Sequence, residues 1–270
     1  MTQITRTLVV LFIFWAGIPS MQANEELLAA ILAQHAQAAG ADKSAKAKTL
    51  VETRLVQSES GELIQVFYAK KPGKFRIEHL TPRGRIAWAF NGTKFWCSVE
   101  KRGGVPQEFK LGPQEEKEWR TIAATDEAFS DRLIAAQTRQ AQIETRENEP
   151  TADGQLLLFV TEKDMEQYRL KIDRQTGLLL AMYSTQNGKS VQYLYSNYTH
   201  FDDIAIPLEI TVLTDGRETQ RTRLSSIRYD VELEDALFSA PAKPKDVPPT
   251  PDGVPTLQAA ASVSHASSEN

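Results

Sequence analysis

Apolar and polar residues alternate through much of the chain after Thr49, and the period is two. Phe75, Ile77 and His79 alternate with Lys74, Arg76 and Glu78; Tyr168, Leu170 and Ile172 alternate with Gln167, Arg169, Lys171 and Asp173. A period of two places successive side chains on opposite faces of a strand. The same pattern predicts strands at Thr49 to Ser58, Leu63 to Ala69, Ile86 to Phe90, Phe95 to Val99 and Leu156 to Thr161. It continues through Leu178 to Ser184, Val191 to Tyr195, Ile206 to Val212 and Glu218 to Tyr229. Turn signals separate these runs: Pro72-Gly73, Asn91-Gly92, Thr176-Gly177, Asn187-Gly188 and Asp215-Gly216. Asn-Gly and Asp-Gly suit hairpin turns, which need φ above zero at both central residues. Ten or eleven strands in mostly sequential antiparallel hairpins are expected, forming a large curved meander.

Two stretches carry the helical period instead. Leu27, Leu28, Ile31, Leu32 and His35 share one helix face, with Asn24 as the expected cap and Gly40 as the stop. His35 extends that stripe and reads as a helix-end or partly buried histidine. Between Glu115 and Ile143, patches at Trp119, Ile122 and Ala123, then Phe129, Leu133 and Ile134, predict two short helices. Thr125 or Asp126 is the expected cap of the second. Glu144 to Asp153 reads as a loop. Several strands are apolar on both faces, so the helices are the available cover for one of them. The fold class expected is α+β.

The ends differ from the middle. Arg6, the apolar run Leu8 to Trp15 and the small-residue exit through Ala23 have the layout of a secretory signal peptide, with cleavage expected after Ala23. The alternative is a membrane anchor, for which the run is short. No cysteine lies near the expected cleavage point, so export without a lipid anchor is expected. From Pro241 the chain is rich in Pro, Ala and Ser without apolar periodicity, and residues 241–270 read as a disordered tail. The expected layout is a signal peptide over 1–23, one domain over 24–240, and the tail.

Composition narrows the chemistry. The formal net charge of −4 does not fit a nucleic-acid footprint. Cys97 is the sole cysteine, which excludes an intramolecular disulfide. The sequence contains no G-x-S-x-G, H-E-x-x-H, C-x-x-C or P-loop. His200 with Asp202 and Asp203 reads as a solvated turn rather than a metal site. Asn91-Gly92-Thr93 and Asn197-Tyr198-Thr199 match a glycosylation pattern, although the first is better explained as a hairpin. A non-enzymatic protein without metal or cofactor is expected.

The stretches "YAKKPGKFRIE" (68–78), "FNGTKFW" (90–96) and "ALFSAP" (236–241) together resemble the LolA-like family of periplasmic lipoprotein carrier and sorting proteins. The resemblance covers most of residues 24–240. It implies an incomplete β-barrel lidded by an N-terminal helix and a mid-chain helical insertion, over a cavity for the acyl chains of lipid or lipoprotein. Sorting or transport to the outer membrane would be the function, from the periplasm, as a monomer, with an envelope membrane protein as a possible partner. The alternative is an envelope-stress regulator or scaffold, because an anti-sigma regulatory protein of this family shares the fold. Tyr68, Phe75, Ile77, Trp88, Phe90, Leu170, Ile172, Met182, Tyr193 and Ile210 are the cavity candidates; the sequence leaves open which face is inner. Carriers of the family have arginine before the proline of the basic turn, where this chain has Lys71, the candidate for holding the lid. Arginine offers a planar fork of donors and lysine a single flexible charge.

Overall fold

The strands pair antiparallel into one 13-stranded sheet. From the chain's start they are β1 Thr49–Ser58, β2 Gly61–Lys70, β3 Lys74–Thr81, β4 Gly84–Phe90, β5 Phe95–Lys101 and β6 Gln107–Phe109. After the mid-chain segment come β7 Gln142–Thr145, β8 Gln155–Thr161, β9 Tyr168–Asp173, β10 Leu179–Gln186, β11 Lys189–Phe201, β12 Ile204–Thr214 and β13 Arg217–Tyr229. The computed structural model describes residues 18–112, 116, 129, 131–145, 154–163 and 167–240, with side chains from 25 onward. Residues 1–17 and 241–270, which hold most of the expected signal peptide and the whole expected tail, lie outside the described residues.

Spatial order is β6-β5-β4-β3-β2-β1-β13-β12-β11-β10-β9-β8-β7. The chain therefore enters at the middle of the sheet, walks out to the β6 edge, crosses to the β7 edge, and walks back until β13 closes on β1. The sheet is curved and open: among the described residues no ladder joins β6 to β7. Both edge strands are the short ones, which limits the unpaired backbone each presents. The expected α+β class with a large open antiparallel sheet is the observed one.

The strand count exceeds the ten or eleven read from periodicity. β6 and β7 are too short to show a period, and β7 takes residues assigned to the end of a helical stretch and the start of a loop. The hairpin turns fall where Asn-Gly and Asp-Gly stand. Asn187 and Gly188 have φ of 51° and 75°, and Asp215 and Gly216 have 50° and 80°. Asp202 and Asp203, at 50° and 65°, make the equivalent turn between β11 and β12. Asn91 turns β4 into β5 with its side chain, whose Oδ1 accepts from the Thr93 and Lys94 N–H groups.

Residues directly opposite across a ladder share a face. One row therefore runs Tyr229–Leu50–Ala69–Phe75–Phe90–Phe95 from β13 to β5. A second runs Leu158–Leu170–Met182–Tyr193–Val212 from β8 to β12. A third, Tyr195–Ile210–Thr222–Val56, joins the two halves on the same face. This is the inner face, because the helices pack on it. Helix α1, Ile18–Ala39, and α3, Arg132–Thr138, place Ile31, Leu133 and Ala136 against Leu158, Val160, Tyr168, Leu170, Ile172 and Leu179. Burying side chains of this size stabilises by about 1.5–3 kcal/mol each, so this half carries the main core.

Three helical details differ from the sequence reading. α1 runs unbroken through Asn24 from Ile18, the first described residue, so Asn24 does not cap it. Gly40 ends it as expected but, at φ 72°, also opens a further short helix, α2, Ala41–Lys46. A Cβ on Gly40 would collide with the Asp203 carbonyl, so glycine lets the helix corner sit on the β11–β12 turn. The cap of α3 is Asp131, whose carboxylate accepts from the Leu133 and Ile134 N–H groups at 3.0 Å each. Phe129 precedes that helix instead of lying on it. Trp119, Ile122, Ala123, Thr125 and Asp126 lie outside the described residues.

The opposite face has its own cover. A closing 3-10 turn, Asp235–Phe238, buries Phe238 completely. Trp96 Nε1 donates to the Phe238 carbonyl at 2.8 Å, Arg76 Nη1 to that of Leu237 at 2.9 Å, and Lys70 and Lys74 pair with Asp235 at 2.7 Å each.

Candidate functional site

A cavity of about 200 Å³ lies where α2, the approach to α3 and the inner face of β1, β10–β13 meet. Its apolar wall includes Leu50, Phe129, Ile134, Leu179, Ile206 and Ile210. Its polar wall is Glu52, Arg54, Asp131, Arg132, Tyr195, Tyr198 and Tyr229. A larger depression of about 480 Å³, lined by Leu80 to Pro82, Gly84, Arg85 and Glu100 to Arg102, is an open groove at the ends of β3–β5. The smaller cavity, the less open of the two, is the better candidate, since ligand sites are concave and mostly apolar with a few polar groups.

Polar contacts hold the cover down. His35 on α1 is fully buried. Its Nδ1 lies 2.8 Å from the Gly177 carbonyl and its Nε2 2.9 Å from an Asp131 oxygen. Both partners are acceptors when Asp131 is ionised, so both bonds form together only when each ring nitrogen carries a proton. Burial by itself lowers the His35 pKa, but the Asp131 hydrogen bond and charge, with the Gly177 carbonyl, outweigh it and raise the pKa above its ordinary value. One side chain thus ties α1, the cap of α3 and the β9–β10 turn together.

Lys71 ties down the other corner. Its Nζ donates to the Ser44 and Ala45 carbonyls of α2 at 3.1 and 2.7 Å, groups that lack intrahelical partners. The same ammonium stands 4.4 Å from the centre of the Phe129 ring. Lys70, its neighbour, points to the opposite face and the closing turn. A strand end alternates its side chains, so one basic turn serves both covers.

The tyrosines supply neutral polar groups. Burial pushes the hydroxyl pKa values of Tyr195, Tyr198 and Tyr229 up, so these side chains stay protonated. Tyr198 donates to the Leu179 carbonyl at 2.7 Å. Arg54 pairs through Nε with Glu52 on the same face of β1. Among the described residues, no group of three or more His, Cys, Asp or Glu stands together as a metal site. Nor is any described helix long and apolar enough to cross a membrane.

The ten residues singled out in the sequence are distributed as follows. Ile210 lines the cavity. Leu170 and Ile172 are fully buried beneath α1 and α3, with Met182 packed against them. Tyr193 is on the inner face beside Met182. Phe75 and Phe90 are buried in an inner-face cluster with Phe67, Ile77 and Phe95, with Phe75 ring centres 6.3 Å from Phe90 and 5.9 Å from Phe95. Trp88 is in the same face and meets the edge of His79 at 4.9 Å. Tyr68 stands opposite Arg76, on the other face of the sheet. Sequence reasoning passed over Arg54, Asp131, Tyr195 and Tyr198. A signal existed for one: Leu50, Glu52, Arg54 and Val56 share a parity, so charges sit inside an apolar face.

No protein-family model matches the sequence, and no curated protein matches it. Solved structures of similar fold are found at low identity. A DUF1329 family protein from Desulfovibrio piger is 14% identical with a TM-score of 0.50, over 77% of this chain and 97% of that one. A putative outer membrane lipoprotein-sorting protein domain from Vibrio parahaemolyticus is 10% identical, with a TM-score of 0.49 over 80% and 96%. A LolA superfamily protein from Nitrosomonas europaea is 13% identical, with a TM-score of 0.47 over 72% and 90%. At such identities the likeness is one of fold.

Proposed function

We propose that the protein binds acyl chains of lipid or lipoprotein, without catalysis, in the space between the inner sheet face and its helices. The periplasm is the compartment this reading requires, with envelope lipoprotein sorting or transport as the role. The observation that carries it is the partly open cavity beneath a cover tied down by a few polar contacts. The resemblance of Tyr68–Glu78 and Phe90–Trp96 to the LolA-like family supports the acyl cargo.

Size and energy fit a loadable site. Pockets for drug-sized ligands begin near ~300 Å³; this cavity, at about 200 Å³, is smaller. It accepts the end of one chain as it stands, and a longer chain requires α2 and the Phe129 ring to move aside. Each buried methylene contributes ~0.8 kcal/mol, so six would contribute about 5 kcal/mol at that rate. That is enough to compensate for breaking the Lys71 contacts, which are partly solvated.

The test is recovery of the protein from its host followed by native mass spectrometry and lipid extraction, with displacement of a fluorescent acyl probe. Co-purifying lipid and saturable displacement are expected. Absence of both sinks the reading.

A further inference from the structure

The charges around the cavity do not cancel one for one. Arg54, Arg132, Glu52 and Asp131 line it. Arg54 pairs through Nε with Glu52, and Asp131 pairs with His35 at 2.9 Å. The carboxylate that Arg132 meets is Glu162, whose Oε1 is 3.5 Å from its Nη2. Both Glu162 oxygens are already engaged by Arg139, Oε1 by Nη2 at 2.8 Å and Oε2 by Nε at 2.7 Å, and the Tyr168 hydroxyl donates to Oε1 as well. With His35 protonated, Arg132 is therefore the cation left over in the wall. Its side chain is 25% exposed, so the surplus charge is only partly solvated, and a shielded charge without a counter-ion is costly.

A second group in the same wall is unused. Tyr195 lines the cavity, and its hydroxyl makes no hydrogen bond among the described residues. Unlike Arg54 Nη1, that hydroxyl is not sealed from solvent. Burial first, then Asp131, raises its pKa, while Arg132 pulls the other way; the phenol stays protonated and within reach of the Arg132 charge. Tyr195 stands directly opposite Ile210 across the β11–β12 ladder, and Ile206, Leu50 and Phe129 continue the apolar wall. A free donor and a surplus cation thus share one cavity with an apolar surface, the lining that suits an amphiphile with one negative charge.

We propose that the cavity takes acyl chains as free fatty acids, with the carboxylate held by Arg132 and the Tyr195 hydroxyl and the chain laid along the Ile210 wall. This rests on the acyl-binding reading above and adds the head group to it. A guanidinium and a phenol offer N–H and O–H donors to the two carboxylate oxygens, whereas an ester brings no charge to offset Arg132.

Full-length protein is titrated at pH ~6, where His35 is protonated, with one saturated chain in three forms: carboxylate, methyl ester and alkane of matched length. The carboxylate is expected to bind about tenfold more tightly than the ester, the low end for a hydrogen bond to a charged group because Arg132 is partly solvated. Arg132→Gln should bring the ratio of carboxylate to ester affinity close to one. Tyr195→Phe should lower that ratio severalfold and leave the melting temperature unchanged, since the hydroxyl has no protein partner to lose. The wild-type comparison and Tyr195→Phe stand even where Arg132→Gln fails to fold. Equal or tighter binding of the ester by wild type overturns the head-group assignment and leaves acyl binding intact. A carboxylate preference that survives either substitution undiminished overturns that residue's part in it. Failure of all three forms removes the acyl-binding reading itself.

Discussion

His35 joins α1 to the cap of α3 and to the β9–β10 turn, and its truncation tests how the cover is held. His35→Ala removes a fully buried ring, its hydrogen bond to the Gly177 carbonyl and its ion pair with Asp131. A hydrogen bond to a charged group is worth ~1.5–3 kcal/mol, and an orphaned buried carbonyl costs ~1–3 kcal/mol. Asp131 is 29% exposed on its side chain, so solvent screens the pair and the low end of the first range applies. The expected destabilisation is about 3 kcal/mol. In urea, with a slope of ~2–3 kcal/mol/M, the midpoint should fall by about 1–1.5 M. The pH dependence gives a second reading. The folded pKa of His35 lies above the ordinary 6.5, so the native state binds more protons than the unfolded chain between those values. The contribution is full below about 6.5 and is lost as pH rises through the folded pKa. The stability gap between wild type and His35→Ala should therefore narrow as pH is raised. A loss under ~1 kcal/mol, or a gap that widens with pH, would refute the charged clip.

Two further tests address the two covers. Lys71→Ala should change the affinity or release rate of an acyl probe severalfold, and by more than Lys70→Ala does, because Lys71 holds α2 and touches Phe129 whereas Lys70 reaches the closing turn; equal, negligible effects would reduce the basic turn to a solvated corner. Phe238→Ala should cost ~3–5 kcal/mol, as expected for deletion of a fully buried ring, in a thermal or urea melt, with Trp96 losing its covered environment; a loss under ~1 kcal/mol would show that the closing turn is dispensable to the fold.

Strands, turns and the α+β class were legible because they rest on local physics. The period of two at Tyr168 to Asp173 is set by backbone geometry, and Asn187-Gly188 and Asp215-Gly216 by steric access to positive φ. α1 was legible as a stripe from Leu27 to His35, while its continuation through Asn24 was not, since no capping residue has to act inside a continuous helix. β6 and β7 escaped because three and four residues cannot display a period. Asp131 escaped as a cap because Thr125 and Asp126 offered the same chemistry a few residues earlier.

What the sequence determined by itself was which residues share a face within each strand. Which face is inner, and whether an apolar residue fills core or lines space, depended on contacts between distant segments. Pairing of β1 with β13 placed Glu52 and Arg54 opposite Ile227 and Leu224. The mid-chain segment then carried Phe129 to Leu50 and Ala69, and Leu133 and Ala136 to Leu158 and Leu170. Under α1 and α3 the packing closed over Leu170 and Ile172, and beside them it left the cavity at Ile210. A period says which way a side chain points; only the element that arrives above it decides whether anything is left to bind.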